Sequence, residues 1–196
     1  MAARTAKAER TSAETQIRLS LNLDGEGKVH VDTGFGMLDH MLTLTFFWAR
    51  MDLELKCTGD LDVDAHHTVE DCGICLGQAI ARALGDKAGI MRVGSCMFPM
   101  DEALAVCALD ISGRGLLVFS ADFPQQSCGL FDCQLAEEFF RAVAVNAGIT
   151  LHIRCEYGHN SHHMLEAMFK SFGRALMQAA EVSPRVRGVP STKGVL

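Results

Sequence analysis

Hydrophobic and polar positions alternate with a period of two in several short runs, and with a helical period in four longer ones. Ile17, Leu19, Leu21 and Leu23 alternate with polar residues, as a half-buried strand does. After the turn Asp24-Gly25-Glu26-Gly27, Val29 and Val31 predict the returning strand of a hairpin. An apolar helix is predicted over about Met37 to Trp48. Leu53, Leu55 and Cys57 alternate again, Gly59-Asp60 turns the chain, and a helix runs from His66 to about Leu84, where Gly85 stops it.

The second half repeats this order. Ala103 to Asp110 and Leu116 to Ala121 predict a hairpin around Ser112-Gly113-Arg114-Gly115. A helix follows over about Cys133 to Ala147. Leu151, Ile153 and Cys155 alternate, and a helix runs from about Ser161 to Ala180. Each half therefore reads as hairpin, helix, strand, helix. Strands covered by helices imply an α/β (α+β) two-layer sandwich, internally duplicated. Without an obvious linker, residues 1–196 are expected to form one domain of two repeats, about 10–90 and 91–183, with a tail from Pro184 to Leu196. The first dozen residues are expected to be flexible.

The duplication carries chemistry. His66-His67-Thr68-Val69-Glu70 recurs 96 residues later as His162-His163-Met164-Leu165-Glu166, each at a predicted helix start. Residues three and four apart share a helix face, so each glutamate lies beneath its histidines. Adjacent histidines diverge by about 100°, which lets one pair reach toward two ions. Imidazole and carboxylate without thiolate suit Mn, Fe, Co or Zn. His40, on an otherwise apolar helix, is a further candidate ligand, and Glu137 and Glu138 occupy a comparable place in the second half. Asp60, Asp62 and Asp64 read as a wet strand face, with orientation of ligating imidazoles as the alternative.

Composition narrows the classes. The chain has 196 residues, 48% of them hydrophobic, and a net charge of −6, which gives no case for nucleic acid or an anionic membrane as partner. It has no apolar run long enough to span a bilayer, and Met1 to Arg10 lack the core of a signal peptide, so a cytoplasmic location is expected. The eight cysteines are scattered through apolar stretches, as buried thiols in a reducing compartment are. Cys72 and Cys75 form a lone CxxC inside a predicted helix and read as core. Arg92, Arg114, Lys170 and Ser191-Thr192-Lys193-Gly194 offer donors to a phosphate. On residues alone, a dinuclear hydrolase for phosphate esters and a non-enzymatic metal-binding shell protein both remain open.

Several longer motifs go further. Leu38-Asp39-His40-Met41-Leu42, Asp64-Ala65-His66-His67-Thr68-Val69-Glu70-Asp71, Ser161-His162-His163 with Glu166-Ala167 and Phe169-Lys170, and Pro190-Ser191-Thr192-Lys193-Gly194-Val195-Leu196 resemble the imidazoleglycerol-phosphate dehydratases. The resemblance runs from about Arg10 to Leu196. It implies two four-stranded sheets with helices, of the ribosomal protein S5 domain 2-like kind. It implies dehydration of D-erythro-imidazole-glycerol phosphate to imidazole-acetol phosphate in histidine biosynthesis, with two Mn²⁺ per active site and a 24-subunit shell of trimers. By position it implies that His40, His66, His67, Glu70, His162, His163 and Glu166 hold manganese. Arg92, Arg114, Lys170, Ser191, Thr192 and Lys193 match substrate and phosphate contacts, together with His40, His66 and His162. Glu14 matches a substrate-contacting glutamate, and Glu14, Glu70 and Glu166 are the expected catalytic carboxylates. Where many members have a ligating histidine before a Phe-Phe pair, this chain has Glu138. Glu14, on a flexible segment, is expected to reach a neighbouring subunit's site, with the active site lying between subunits.

Overall fold

The computed structural model describes residues 3–196. Its elements are β1 (Thr5–Thr11), β2 (Thr15–Asn22), β3 (Val29–Asp32), α1 (Gly36–Ala49), β4 (Asp52–Gly59), α2 (His66–Leu84), β5 (Val93–Met100), β6 (Ala103–Asp110), β7 (Leu116–Ser120), the short pair β8 (Ser127–Cys128) and β9 (Phe131–Asp132), α3 (Gln134–Ala147), β10 (Thr150–Tyr157) and α4 (Ser161–Ala180). Two four-stranded sheets form, in the orders β1-β2-β4-β3 and β5-β6-β10-β7.

Neither of the expected hairpins exists as such. β2 pairs antiparallel with β4, not β3. β3 lies on the far side of β4 and runs parallel to it, so β3, α1 and β4 form a crossover unit. β7 joins β10 in the same way. The reason is burial. Leu53, Leu55 and Cys57 of β4 are buried and meet Leu21, Leu19 and Ile17 of β2 in direct register, which makes β4 a central strand. The four-residue β3 is only half buried and takes the edge. The loop before β3 is bonded down, with Asp52 accepting from the backbone N–H of Glu26 and Lys28.

The outer strands β1 and β5 were not foreseen, and the expected flexible N-terminal segment is largely β1. Of the residues that β1 turns inward, only Ala8 is fully buried, too small to stand out as hydrophobic. In β5, apolar residues face both ways, with Val93 and Met97 exposed, so no period of two is visible. Asp60 to Asp64 form a turn leading into α2, not a strand.

The helices lie between the sheets. α2 packs on β1 and β2 and against α3, while α4 packs on β5 and β6 and against α1. Glycines permit both helix contacts. A Cβ at Gly77 would stand 2.8 Å from the Val143 carbonyl oxygen, and one at Gly173 would stand 2.2 Å from that of Thr45. Gly77 and Gly173 are again 96 residues apart. Phe139, Phe140, Phe169 and Phe172 fill the core between α3 and α4. Cys72 and Cys75 are fully buried in this interior, as expected of core residues.

The outward faces of the two sheets differ. The first presents Lys7, Glu9, Arg18, Glu54 and Lys56. The second presents Val93, Met97, Leu116 and Val118, all exposed.

Candidate active site

Each HHxxE motif occupies the first turn of its helix, and the residue two before the first histidine sets that turn. Asp64 accepts from the His66 backbone N–H at 2.7 Å, and Asn160 accepts from that of His162 at 2.9 Å. In both motifs the adjacent imidazoles stand nearly perpendicular, at 87° and 82°. The glutamate lies one turn below the first histidine, with Glu166 Oε1 at 3.0 Å from His162 Nε2 and Glu70 Oε2 at 3.7 Å from His66 Nε2.

Around the second motif the groups converge. His40, from α1, brings Nε2 to 2.9 Å from Glu166 Oε1. His40, His162 and Glu166 offer ligand atoms that all lie within 4.8 Å of one another. Glu166 is 7% exposed, and its other oxygen accepts from Lys170 Nζ at 2.5 Å. Burial alone would push the Glu166 carboxyl up. The donors Lys170, His40 and His162 outweigh it and hold it down at about 2. Lys170 is itself buried, beside the Phe98 ring and the Met100 sulfur. In this structure its ammonium neutralises Glu166.

The first motif is looser. Glu138 stands at the α3 position equivalent to His40 on α1, yet its carboxylate faces Arg141 at 3.7 Å. Among the described residues it joins no ligand group, and no hydrogen bond or ion pair links the two HHxxE motifs. Glu14 sits in the β1–β2 turn, its Oε1 at 3.7 Å from Nε2 of His67 in the same chain. It is therefore placed beside its own motif and not on a free arm. Asp71, buried at the next helical turn, fixes that arrangement by accepting from Thr15 Oγ1 at 2.6 Å and pairing with Arg10 at 2.8 Å.

Two carboxylates hold the outward histidines. Asp60 meets His67 Nδ1 at 3.0 Å and raises its pKa, and Glu102 meets His163 Nδ1 at 2.7 Å and raises that one. Glu102 is held at about 2 by that bond and by the backbone N–H groups of His159 and Asn160. Glu102, Asp101 and Asp71 escaped the sequence reading. The first two lie in the turn after β5, which was itself hidden. Asp71 had a signal, a charge on the buried face of an amphipathic helix.

The phosphate candidates gather elsewhere. Arg92 holds Asp110 through two donors at 2.7 and 2.9 Å and donates to the Pro190 carbonyl at 2.9 Å. Arg114 lies beside Gly113, against which Leu196 packs. The tail carrying Ser191, Thr192 and Lys193 is thereby drawn to Arg92 and Arg114. Arg92 also donates its backbone N–H to Ala179, at the far end of α4 from His162. Seventeen residues of helix separate Ala179 from His162, about 26 Å at ~1.5 Å per residue.

A duplicated α+β fold with two histidine–histidine–glutamate helix starts, one of them joined by His40 into a group that could hold a metal ion, and a separate basic cluster defines a class of candidate enzyme. Comparison with known proteins agrees. The family model described as imidazoleglycerol-phosphate dehydratase matches residues 33–176. The chain is 56% identical to the imidazoleglycerol-phosphate dehydratase of Acetivibrio thermocellus, over 95% of this chain and 96% of that one. It is also 56% identical to that of Desulfitobacterium hafniense, over the full length of both. The crystal structure of the Staphylococcus aureus imidazoleglycerol-phosphate dehydratase superposes with a TM-score of 0.83 at 41% identity, covering 91% of this chain and 99% of that one. The chain belongs to the imidazoleglycerol-phosphate dehydratase family. It is thus a lyase of histidine biosynthesis.

Proposed function

We propose that the chain converts D-erythro-imidazole-glycerol phosphate to imidazole-acetol phosphate with two Mn²⁺ per active site, and that each site is completed by more than one subunit. His40, His66, His67, Glu70, His162, His163 and Glu166 would hold the ions, with Glu138 as the remaining candidate. The group of His40, His162 and Glu166 supports this, since its donors are imidazole and carboxylate with no thiolate. Bound there, the ions supply Lewis acidity and a template for the substrate's imidazole ring.

The reaction removes a weakly acidic C–H proton and expels hydroxide. Glu14 would carry a proton, a role supported by its half-exposed position 3.7 Å from His67. Arg92, Arg114, Ser191, Thr192 and Lys193 grip the phosphate and orient the chain of the substrate. Lys170 keeps Glu166 ionised from below.

One observation carries the shared site. The backbone of Arg92 meets α4 at Ala179, about 26 Å of helix from His162 in the same chain. A triose-sized substrate is much shorter than that, which supports a second chain supplying one of the two groups. The exposed apolar face of the second sheet supports assembly into a homo-oligomer, here a 24-subunit shell of trimers. The eight free thiols support a reducing, cytoplasmic setting, and among the described residues no helix is long and apolar enough to cross a membrane.

Activity should vanish on chelation and return with Mn²⁺, with imidazole-acetol phosphate as product. Full turnover by metal-free enzyme would refute the metal reading. For the shared site, inactive His163→Ala and Arg92→Ala chains are dissociated, mixed and reassembled. Random mixing restores about one quarter of the sites if the two groups come from different chains. No recovery in assemblies proven to be mixed would mean that each chain builds its site alone.

A further inference from the structure

Each HHxxE motif has one histidine facing its own glutamate and one turned away from it. The outward pair, His67 and His163, meet carboxylates that lie outside both motifs. Asp60 Oδ2 is 3.0 Å from His67 Nδ1, and Glu102 Oε2 is 2.7 Å from His163 Nδ1. A carboxylate at Nδ1 accepts the proton carried there and leaves the lone pair on Nε2.

The two carboxylates are not copies of one another. Asp60 follows β4, whereas the place after the equivalent strand β10 is Gly158, which has no side chain. Glu102 lies in the β5–β6 turn, whereas the equivalent β1–β2 turn carries Glu14, near Nε2 rather than Nδ1 of its histidine. Duplication therefore did not transmit this contact. The same hydrogen bond has been built twice, from different parts of the fold.

We propose that Asp60 and Glu102 are positioning residues that lock His67 and His163 in the tautomer and ring orientation presenting Nε2 to a divalent cation. The proposal rests on the metal reading above. Neither carboxylate need touch ion or substrate. Glu102 also sets the backbone, because its Oε1 accepts from the N–H groups of His159 and Asn160 at 3.0 and 2.8 Å. One side chain thus fixes both the entry to α4 and the ring it carries. Asp60 is tied in through its backbone N–H, which donates to the Glu14 carbonyl at 3.1 Å. Its Oδ1 is buried without a partner, so the His67 ring is the group its side chain serves.

The test titrates Mn²⁺ into chelator-stripped full-length protein and reads the unbound ion by electron paramagnetic resonance. Glu102→Gln and Asp60→Asn keep size but can donate or accept at Nδ1, and so no longer impose a tautomer. Each should weaken Mn²⁺ binding by about 10- to 100-fold. Imidazole ¹⁵N spectra of the metal-free protein should change from the single Nδ1–H form to a tautomer mixture. Asp62→Asn makes the same charge change at an exposed carboxylate that has no hydrogen bond among the described residues, and should bind as wild type does. Affinities within about two-fold of wild type for Glu102→Gln and Asp60→Asn would overturn the proposal, as would an equal loss in Asp62→Asn. If the wild-type protein itself takes up no Mn²⁺, the metal reading fails and this inference with it.

Discussion

The two HHxxE motifs use the same residues in very different surroundings. Glu166 is buried beneath His162, takes a second imidazole from His40 and is neutralised by Lys170. Glu70 is half exposed, stands 3.7 Å from His66, and the α3 residue that should complete its group faces Arg141 instead. One motif is already gathered with a third donor within a single chain, and the other is open. The motif thus specifies which donors are available, while neighbouring elements decide whether they are assembled. An open first motif is also what a site needs if another subunit supplies its missing partners.

Removing the two glutamates in turn should separate the two motifs most strongly. Glu166→Gln leaves Lys170 buried without its charge partner and should cost about 3 kcal/mol. Glu70→Gln, at a half-exposed site without a buried charge partner, should stay within ~0.5 kcal/mol. Urea unfolding of chelator-treated protein at one fixed concentration reads both, and equal losses would erase the distinction. Acid titration separates the two glutamates further. The Glu166 carboxyl is depressed to about 2 from an ordinary value of 4.5. Its contribution is therefore complete above the unfolded value and is lost as pH falls from about 4.5 toward 2. Glu166→Gln should flatten that part of the acid limb, and Glu70→Gln should leave it in place.

The helix contacts come next. Gly77→Ala and Gly173→Ala should each destabilise by about 1–3 kcal/mol, because the added methyl meets backbone. Gly173 should be the worse of the two, its Cβ falling 2.2 Å from the Thr45 oxygen. Thermal unfolding ranks them. The reverse order would mean that the α2–α3 contact, not α1–α4, is the less adaptable one.

The smallest effect tests where the halves are alike. Asp64→Ala and Asn160→Ala each remove the acceptor for the first histidine's backbone N–H and should each cost about 1 kcal/mol. A clear difference between them in urea unfolding would show that the asymmetry reaches back to the helix starts.

The pattern along the chain determined much of this protein. The four helices are read nearly to the residue, because α1, α2 and α3 each bury a broad apolar face, α4 is an apolar run buried almost all round, and they end at Arg50, Gly85, Gly148 and Glu181. The duplication and its donor residues are equally plain, since chemistry-bearing residues at matched spacing survive in linear order. Local pattern cannot decide which strands become neighbours. β3 and β7 were placed beside the wrong partners because a turn shows where a chain reverses, not which strand is buried enough to sit in the middle. β1 and β5 were hidden because alanine and two-faced apolar runs carry no period of two. Nor could Glu102 be found beside His163, since 61 residues and a sheet turn separate them. Contacts of that kind exist only once the layers pack, and they decide in which of the two HHxxE motifs the donor groups are brought together.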